Sequence, residues 1–138
     1  MSFLPVYLDS SAIIKLIINE PETEALAAAL ERWPDRVSAA LARVEVHRAL
    51  RRAGRPRATH AKADAVLDGL VLIRLDELVL SRAASFTNPQ MRSLDAIHLA
   101  AALTIGDDPD ALITYDVRFA RVASQEGLTV QHPGVDRI

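Results

Sequence analysis

The sequence has no cysteine, which excludes disulfides and thiolate metal sites and is compatible with a reducing cytoplasm, the expected location. It has no apolar run near the length of a membrane span, so no membrane attachment is expected. The first residues, Met1-Ser2-Phe3-Leu4-Pro5, place no basic segment ahead of an apolar stretch, and no signal peptide is expected. Internal repeats, low-complexity tracts and linkers are missing as well. Charge of one sign is not in excess: 16 Lys and Arg stand against 18 Asp and Glu, so nucleic-acid binding would have to come from local charge. What is present is a 138-residue chain that is 50% hydrophobic and 25% charged, the composition of one soluble globular domain over 1–138 with a real core.

Local charge is uneven. Between Arg43 and Lys62 the chain carries six Arg, one Lys and two His, with Glu45 as its only acid. Such a block attracts phosphate backbones through counterion release, although solvated basic faces are also common on soluble domains. Arg43, Arg48, Arg51 and Arg52 are the candidate RNA contacts.

Strand and helix signals alternate. Val6-Tyr7-Leu8 reads as a first strand, followed by a helix with Ser10 or Ser11 as its cap. Pro21 suits the first turn of a second helix over Glu22 to Trp33. Arg36 to Ala39 reads as a strand. Leu41 to Ala53 reads as a helix with an apolar stripe through Ala42, Val46, Ala49, Leu50 and Ala53, ended by Gly54 and Pro56. A helix over Ala58 to Gly69, a strand over Val71 to Leu75 and a helix over Glu77 to Phe86 follow. Ser93 caps a strongly apolar helix to Thr104, with Gly106 past its end and a turn over Asp107 to Asp110. The pattern closes with a strand over Ala111 to Tyr115, a helix over Val117 to Glu126 and a short strand over Leu128 to Val130.

Apolar strands alternating with helices predict an α/β fold with a parallel sheet covered on both faces. Ligand sites in such sheets lie outside the carboxyl ends of the strands. Asp9 and Asp116 each follow a predicted strand, so both belong on that edge. Asp95 lies in the first turn of a helix that is otherwise apolar nearly all round, where desolvating an unpaired carboxylate is costly. Complementing the helix dipole is the alternative role for it. Glu45 is flanked by Val44 and Val46 on a core-facing helix, and an intrahelical ion pair with Arg48 or Arg52 is its alternative. His98, three residues after Asp95, reads as a buried histidine satisfied by a hydrogen bond, while His47 and His60 belong to the basic surface. Trp33 and Phe86 read as packing residues.

Four segments carry a family resemblance. Val6-Tyr7-Leu8-Asp9-Ser10-Ser11-Ala12 resembles the first motif of the PIN-domain family, and Ala42-Arg43-Val44-Glu45-Val46-His47-Arg48-Ala49-Leu50 the second. Leu94-Asp95-Ala96-Ile97-His98-Leu99-Ala100 resembles the third, and Leu112-Ile113-Thr114-Tyr115-Asp116 the fourth. The short form is similar to VapC-type toxins of bacterial toxin–antitoxin pairs. This resemblance implies a PIN-like three-layer α/β/α fold and a Mg²⁺- or Mn²⁺-dependent endoribonuclease acting on RNA. It also implies restraint by a small VapB-like antitoxin protein and a homodimer. Asp9, Glu45, Asp95 and Asp116 match the family's acidic residues, and Ser11 and Thr114 its small hydroxyl residues. Where some relatives have a further acid, this chain has Arg118.

Clustered carboxylates raise one another's pKa, and a divalent cation removes that penalty. Oxygen donors without thiolate or imidazole suit Mg²⁺ or Mn²⁺ rather than zinc. On this reading Asp9, Asp95 and Asp116 are metal ligands. Glu45 holds a second ion or orients the attacking water, and Ser11 and Thr114 orient carboxylates or waters. The Ile-, Leu- and Ala-rich first two helices suggest a groove for an amphipathic antitoxin helix, or else core or dimer face. The other class of function open to this sequence is a non-catalytic nucleic-acid-binding module using the Arg43–Lys62 patch. An aspartyl phosphatase would want a second acid where Ser11 stands.

Overall fold

A computed structural model describes residues 4–105 and 109–136. The predicted cap at Gly106 and half of the Asp107–Asp110 turn lie outside these residues. Among the described residues the chain forms β1 (Val6–Leu8), α1 (Ser10–Ile17), α2 (Thr23–Leu30), β2 (Arg36–Ala39), α3 (Leu41–Arg52) and α4 (Arg57–Asp68). It continues with β3 (Val71–Ile73), α5 (Glu77–Ser85), α6 (Ser93–Ala102), β4 (Ala111–Ile113), α7 (Val117–Gln125) and β5 (Val130–Gln131).

The five strands form one sheet in the order β3-β2-β1-β4-β5, and every pairing is parallel. Alternation along β1 and β4 divides the core into two layers, because successive side chains leave a strand on opposite faces. Val6, Leu8, Ala111 and Ile113 pack with Ile13 and Ile17 of α1, Leu26 and Leu30 of α2, Val46 and Leu50 of α3 and Leu67 of α4. Tyr7 and Leu112 pack on the other face with Val79 of α5, Leu99 of α6 and Phe119 and Val122 of α7. The result is the expected α/β/α layering.

The strand order reverses at β1: the chain builds outward through β2 and β3, then returns to add β4 and β5 on the other side. Reversal of this kind opens a crevice at the carboxyl ends of the two central strands. Leu8 pairs with Ile113 in register, so the residues that follow β1 and β4 meet at that crevice.

Several local expectations are corrected. The cap of α1 is Asp9, whose side chain accepts from the Ala12 N–H, and not Ser10 or Ser11. The cap of α6 is Arg92, with Ser93 already helical. Regular helix in α2 ends at Leu30 rather than Trp33. Trp33 is buried as expected, and its indole N–H reaches Asp110 Oδ2 at 2.8 Å. β3 and β4 stop at Ile73 and Ile113, two residues early, and β5 is Val130–Gln131. The apolar content of α1 and α2 is consumed by the core, with Ile14, Leu16 and Ile18 packed against it. Exposed apolar side chains sit instead on α5, where Leu78 and Leu80 are open to solvent, and on α6 at Leu94.

Candidate active site

Asp9 leaves the end of β1 and caps α1, and these two roles fix its carboxylate. Oδ1 accepts from the Ala12 N–H at 3.1 Å and from Ser11 Oγ at 2.6 Å, and Oδ2 accepts from Thr114 Oγ1 at 2.5 Å. The residue is only 5% exposed. Burial pushes its carboxyl above the ordinary aspartate value, against the attraction of His98 and the bonds from Ser11, Thr114 and Ala12.

Ser11 and Thr114 join the two strand ends. Ser11 Oγ accepts the Tyr115 N–H at 2.9 Å, and Thr114 Oγ1 accepts the Asp116 N–H at 3.0 Å. Replacing Thr114 by Val removes the donor to a buried carboxylate oxygen and the acceptor of a backbone N–H. Thr114→Val is therefore expected to cost about 1–3 kcal/mol in urea unfolding, since buried groups left unpaired carry their full desolvation cost.

Asp116 lies three residues beyond the last residue of β4 and caps α7, with Oδ1 accepting from the N–H groups of Arg118 at 2.9 Å and Phe119 at 3.2 Å. Asp95, the third residue of α6, accepts the Arg92 N–H at Oδ2 over 3.2 Å, so it does serve the helix start. Its carboxyl is pushed up, first by burial and then by the negative charge of Asp116, against the Arg92 N–H bond and the positive groups nearby. The two carboxylates are thus near enough for the charge of Asp116 to act on Asp95. Arg118 Nη2 stands 3.6 Å from Asp95 Oδ2 and donates to the Gln90 carbonyl at 3.1 Å. A position noted from the sequence only for lacking an acid therefore places a cation beside the carboxylates.

Glu45 does not make the intrahelical pair. Its Oε1 accepts from Ser10 Oγ at 2.6 Å and from His98 Nε2 at 2.6 Å. Burial pushes the Glu45 carboxyl up, but His98 and Ser10 outweigh it and hold it below the ordinary glutamate value. His98 is buried as expected, and its Nδ1 shares a 2.7 Å bond with the Tyr7 hydroxyl. Glu45 is thereby tied through Ser10 to the Asp9 end of the crevice and through His98 to the helix that carries Asp95. The sequence reading missed this partnership, and its one signal was the spacing of His98 three residues from Asp95 on the same helical face.

Arg43, Arg48, Arg51 and Arg52 are all exposed on α3, and none of them forms an ion pair among the described residues. Helical spacing divides them. Arg48 and Arg52 share the side of Glu45, whereas Arg43 and Arg51 lie four residues either side of His47.

The donor set fits a hard divalent cation. Hydrogen bonds at Asp95, Asp116 and Glu45 engage Oδ2, Oδ1 and Oε1 respectively, which leaves one oxygen of each carboxylate uncommitted among the described residues. Among the described residues no three His, Asp or Glu side chains converge closely enough to enclose one ion. Mg²⁺ requires less than that, since one or two carboxylates with waters and substrate phosphate suffice.

The PIN domain family model matches residues 6–125. Ribonuclease VapC46 of Mycobacterium tuberculosis is 44% identical over 135 residues, covering 93% of this chain and 97% of its own. Ribonuclease VapC35 of the same species is 42% identical over 139 residues, covering 96% and 99%. Among solved structures, PAE2754 from Pyrobaculum aerophilum superimposes with a TM-score of 0.58 at 21% identity, over 92% of this chain and 83% of that one, which supports the fold. Family match, near full-length relatives and a carboxylate-lined crevice at the sheet reversal agree, and the chain belongs to the PIN-domain family, among its VapC ribonucleases.

Proposed function

We propose that this VapC-type ribonuclease cuts RNA by metal-assisted hydrolysis at the crevice between β1 and β4, with 1–138 acting as one nuclease domain. The observation that carries the reading is that Asp9 and Asp116 follow the ends of the paired strands β1 and β4, while the Asp95 carboxyl is pushed up in part by the charge of Asp116. Asp9, Asp95 and Asp116 would hold Mg²⁺ or Mn²⁺. When bound, such a cation supplies Lewis-acid charge to a phosphoryl oxygen and makes a nearby water more acidic. Glu45, held ionised by His98 and Ser10, orients the attacking water with its uncommitted Oε2 and accepts its proton. Ser11 and Thr114 keep the Asp9 oxygens in place. Arg118, Arg48 and Arg52 offset the repulsion between the acidic crevice and incoming phosphate, and Arg43 and Arg51 extend the contact along α3.

Partners follow the same reading. A small VapB-like antitoxin restrains the enzyme, and a homodimer is proposed with support from the exposed apolar side chains of α5 and α6. The site of action is the cytoplasm, where its RNA substrate lies. Among the described residues no helix is long and apolar enough to cross a membrane.

The test is cleavage of total RNA with mapping of the new ends. Fragments are expected with Mg²⁺ or Mn²⁺, and at least a hundredfold less product after chelation, in line with the charge stabilisation that would be lost. RNA binding without cleavage in the presence of either metal would contradict the reading.

A further inference from the structure

A second cluster lies on α3 away from the carboxylates. His47 is two residues from Glu45, so the two side chains leave the helix roughly 200° apart. His47 Nε2 meets Asp64 Oδ1 at 2.7 Å, and His47 Nδ1 meets His60 Nδ1 at 2.7 Å, with the two rings near parallel at 7°. These three residues line an open pocket of about 650 Å³ together with Arg51, Arg55 and Arg57.

The turn between α3 and α4 fixes the arginines. Gly54 takes φ +67°, which returns the Arg55 N–H to the Leu50 carbonyl at 3.0 Å. Pro56 then precedes α4 without a side-chain cap, so the positive end of that helix lies at Arg57. None of the three arginines forms an ion pair among the described residues.

A carboxylate only accepts, so His47 Nε2 carries a hydrogen toward Asp64, and the two Nδ1 atoms share one further hydrogen. The charged groups facing the pair are Arg51 from α3, Arg55 and Arg57 from the turn and helix start, and Asp64 from α4. α1, packed against both helices, carries only Lys15, which pairs with Glu20 and Glu22.

We propose that this pocket holds one backbone phosphate of the RNA, away from the scissile bond. The proposal rests on the ribonuclease reading. The test uses the full chain with chelator and a labelled single-stranded RNA, read by fluorescence anisotropy. Replacing both Arg55→Gln and Arg57→Gln is expected to weaken binding about tenfold and to lower the salt slope by roughly 0.7, the value for one phosphate contact on a single strand. Wild-type affinity and salt slope in the double variant would overturn the proposal. So would loss of inorganic-phosphate binding in the double variant with RNA binding intact, which would mark a free-phosphate site, or loss of oligoglutamate binding with RNA binding intact, which would mark an acidic protein partner. Metal-dependent cleavage separates the two readings: unchanged RNA affinity in the double variant with cleavage intact overturns the pocket alone. A wild-type protein that neither binds nor cuts RNA overturns both.

Discussion

Asp9→Asn is expected to lower RNA cleavage by on the order of 10²–10³-fold, the loss typical when one fixed electrostatic element of a reaction site is removed. Both oxygens of Asp9 are held by Ser11, Ala12 and Thr114, so the carboxylate cannot be replaced by a neighbour swinging in. Asn keeps the shape and can keep the cap on α1, but loses the charge. Stability is expected to move the other way. The folded Asp9 carboxyl lies above its ordinary value of 3.8, chiefly through burial. An acid raised in the folded state weakens folding as pH climbs from its unfolded value through its folded one, and the full penalty persists above both. Asn carries no such penalty. Without metal, the Tm of Asp9→Asn at neutral pH is expected to equal or exceed that of wild type, with the advantage fading as pH falls through the raised folded value and gone below about 4. A calorimetric scan with a cleavage assay checks both directions. A lowered Tm at neutral pH would assign the loss of activity to misfolding.

His98→Ala is expected to have the largest effect on stability, about 2–4 kcal/mol, because it opens a cavity beside Tyr7 and Phe119 and strips a partner from Glu45. For a chain of this length that lowers Tm by roughly 10 °C. The pH dependence carries its own sign. The Glu45 carboxyl lies below its ordinary value of 4.5 even though burial opposes this, because His98 and Ser10 favour the ionised form. Its stabilising contribution is present above about pH 4.5 and is lost as pH falls through the lowered folded value. The gap between wild type and His98→Ala should therefore narrow in acid. Urea unfolding at pH 7 and at pH values descending below 4.5 measures it; a gap that stays constant would mean that His98 acts by packing alone.

Most of the fold is legible in local pattern. The apolar triplets Val6–Leu8 and Ala111–Ile113 are buried strands, and each is followed by an acid that the parallel sheet then brings to one edge. The all-round apolar character of Ser93–Ala102 correctly marks α6 as buried. Cap identity is less legible, because Asp9, Ser10 and Ser11 all suit that role, and only packing shows that the serines serve Glu45, Asp9 and Thr114 instead. Long-range partnerships are the part a linear reading does not reach. Glu45 and His98 are 53 residues apart, and nothing in either helix shows that α3 and α6 turn these side chains toward each other. The same holds for His47 and His60, whose meeting depends on the tight turn at Gly54.

The most direct test of the carboxylate site is an anomalous difference map from crystals grown with Mn²⁺. A peak is predicted in the crevice at the ends of β1 and β4, within about 2.2 Å of oxygens from Asp9, Asp95 or Asp116, with no peak at the same place in Asp9→Asn. Manganese bound only elsewhere, or an undiminished peak in Asp9→Asn, would contradict the assignment.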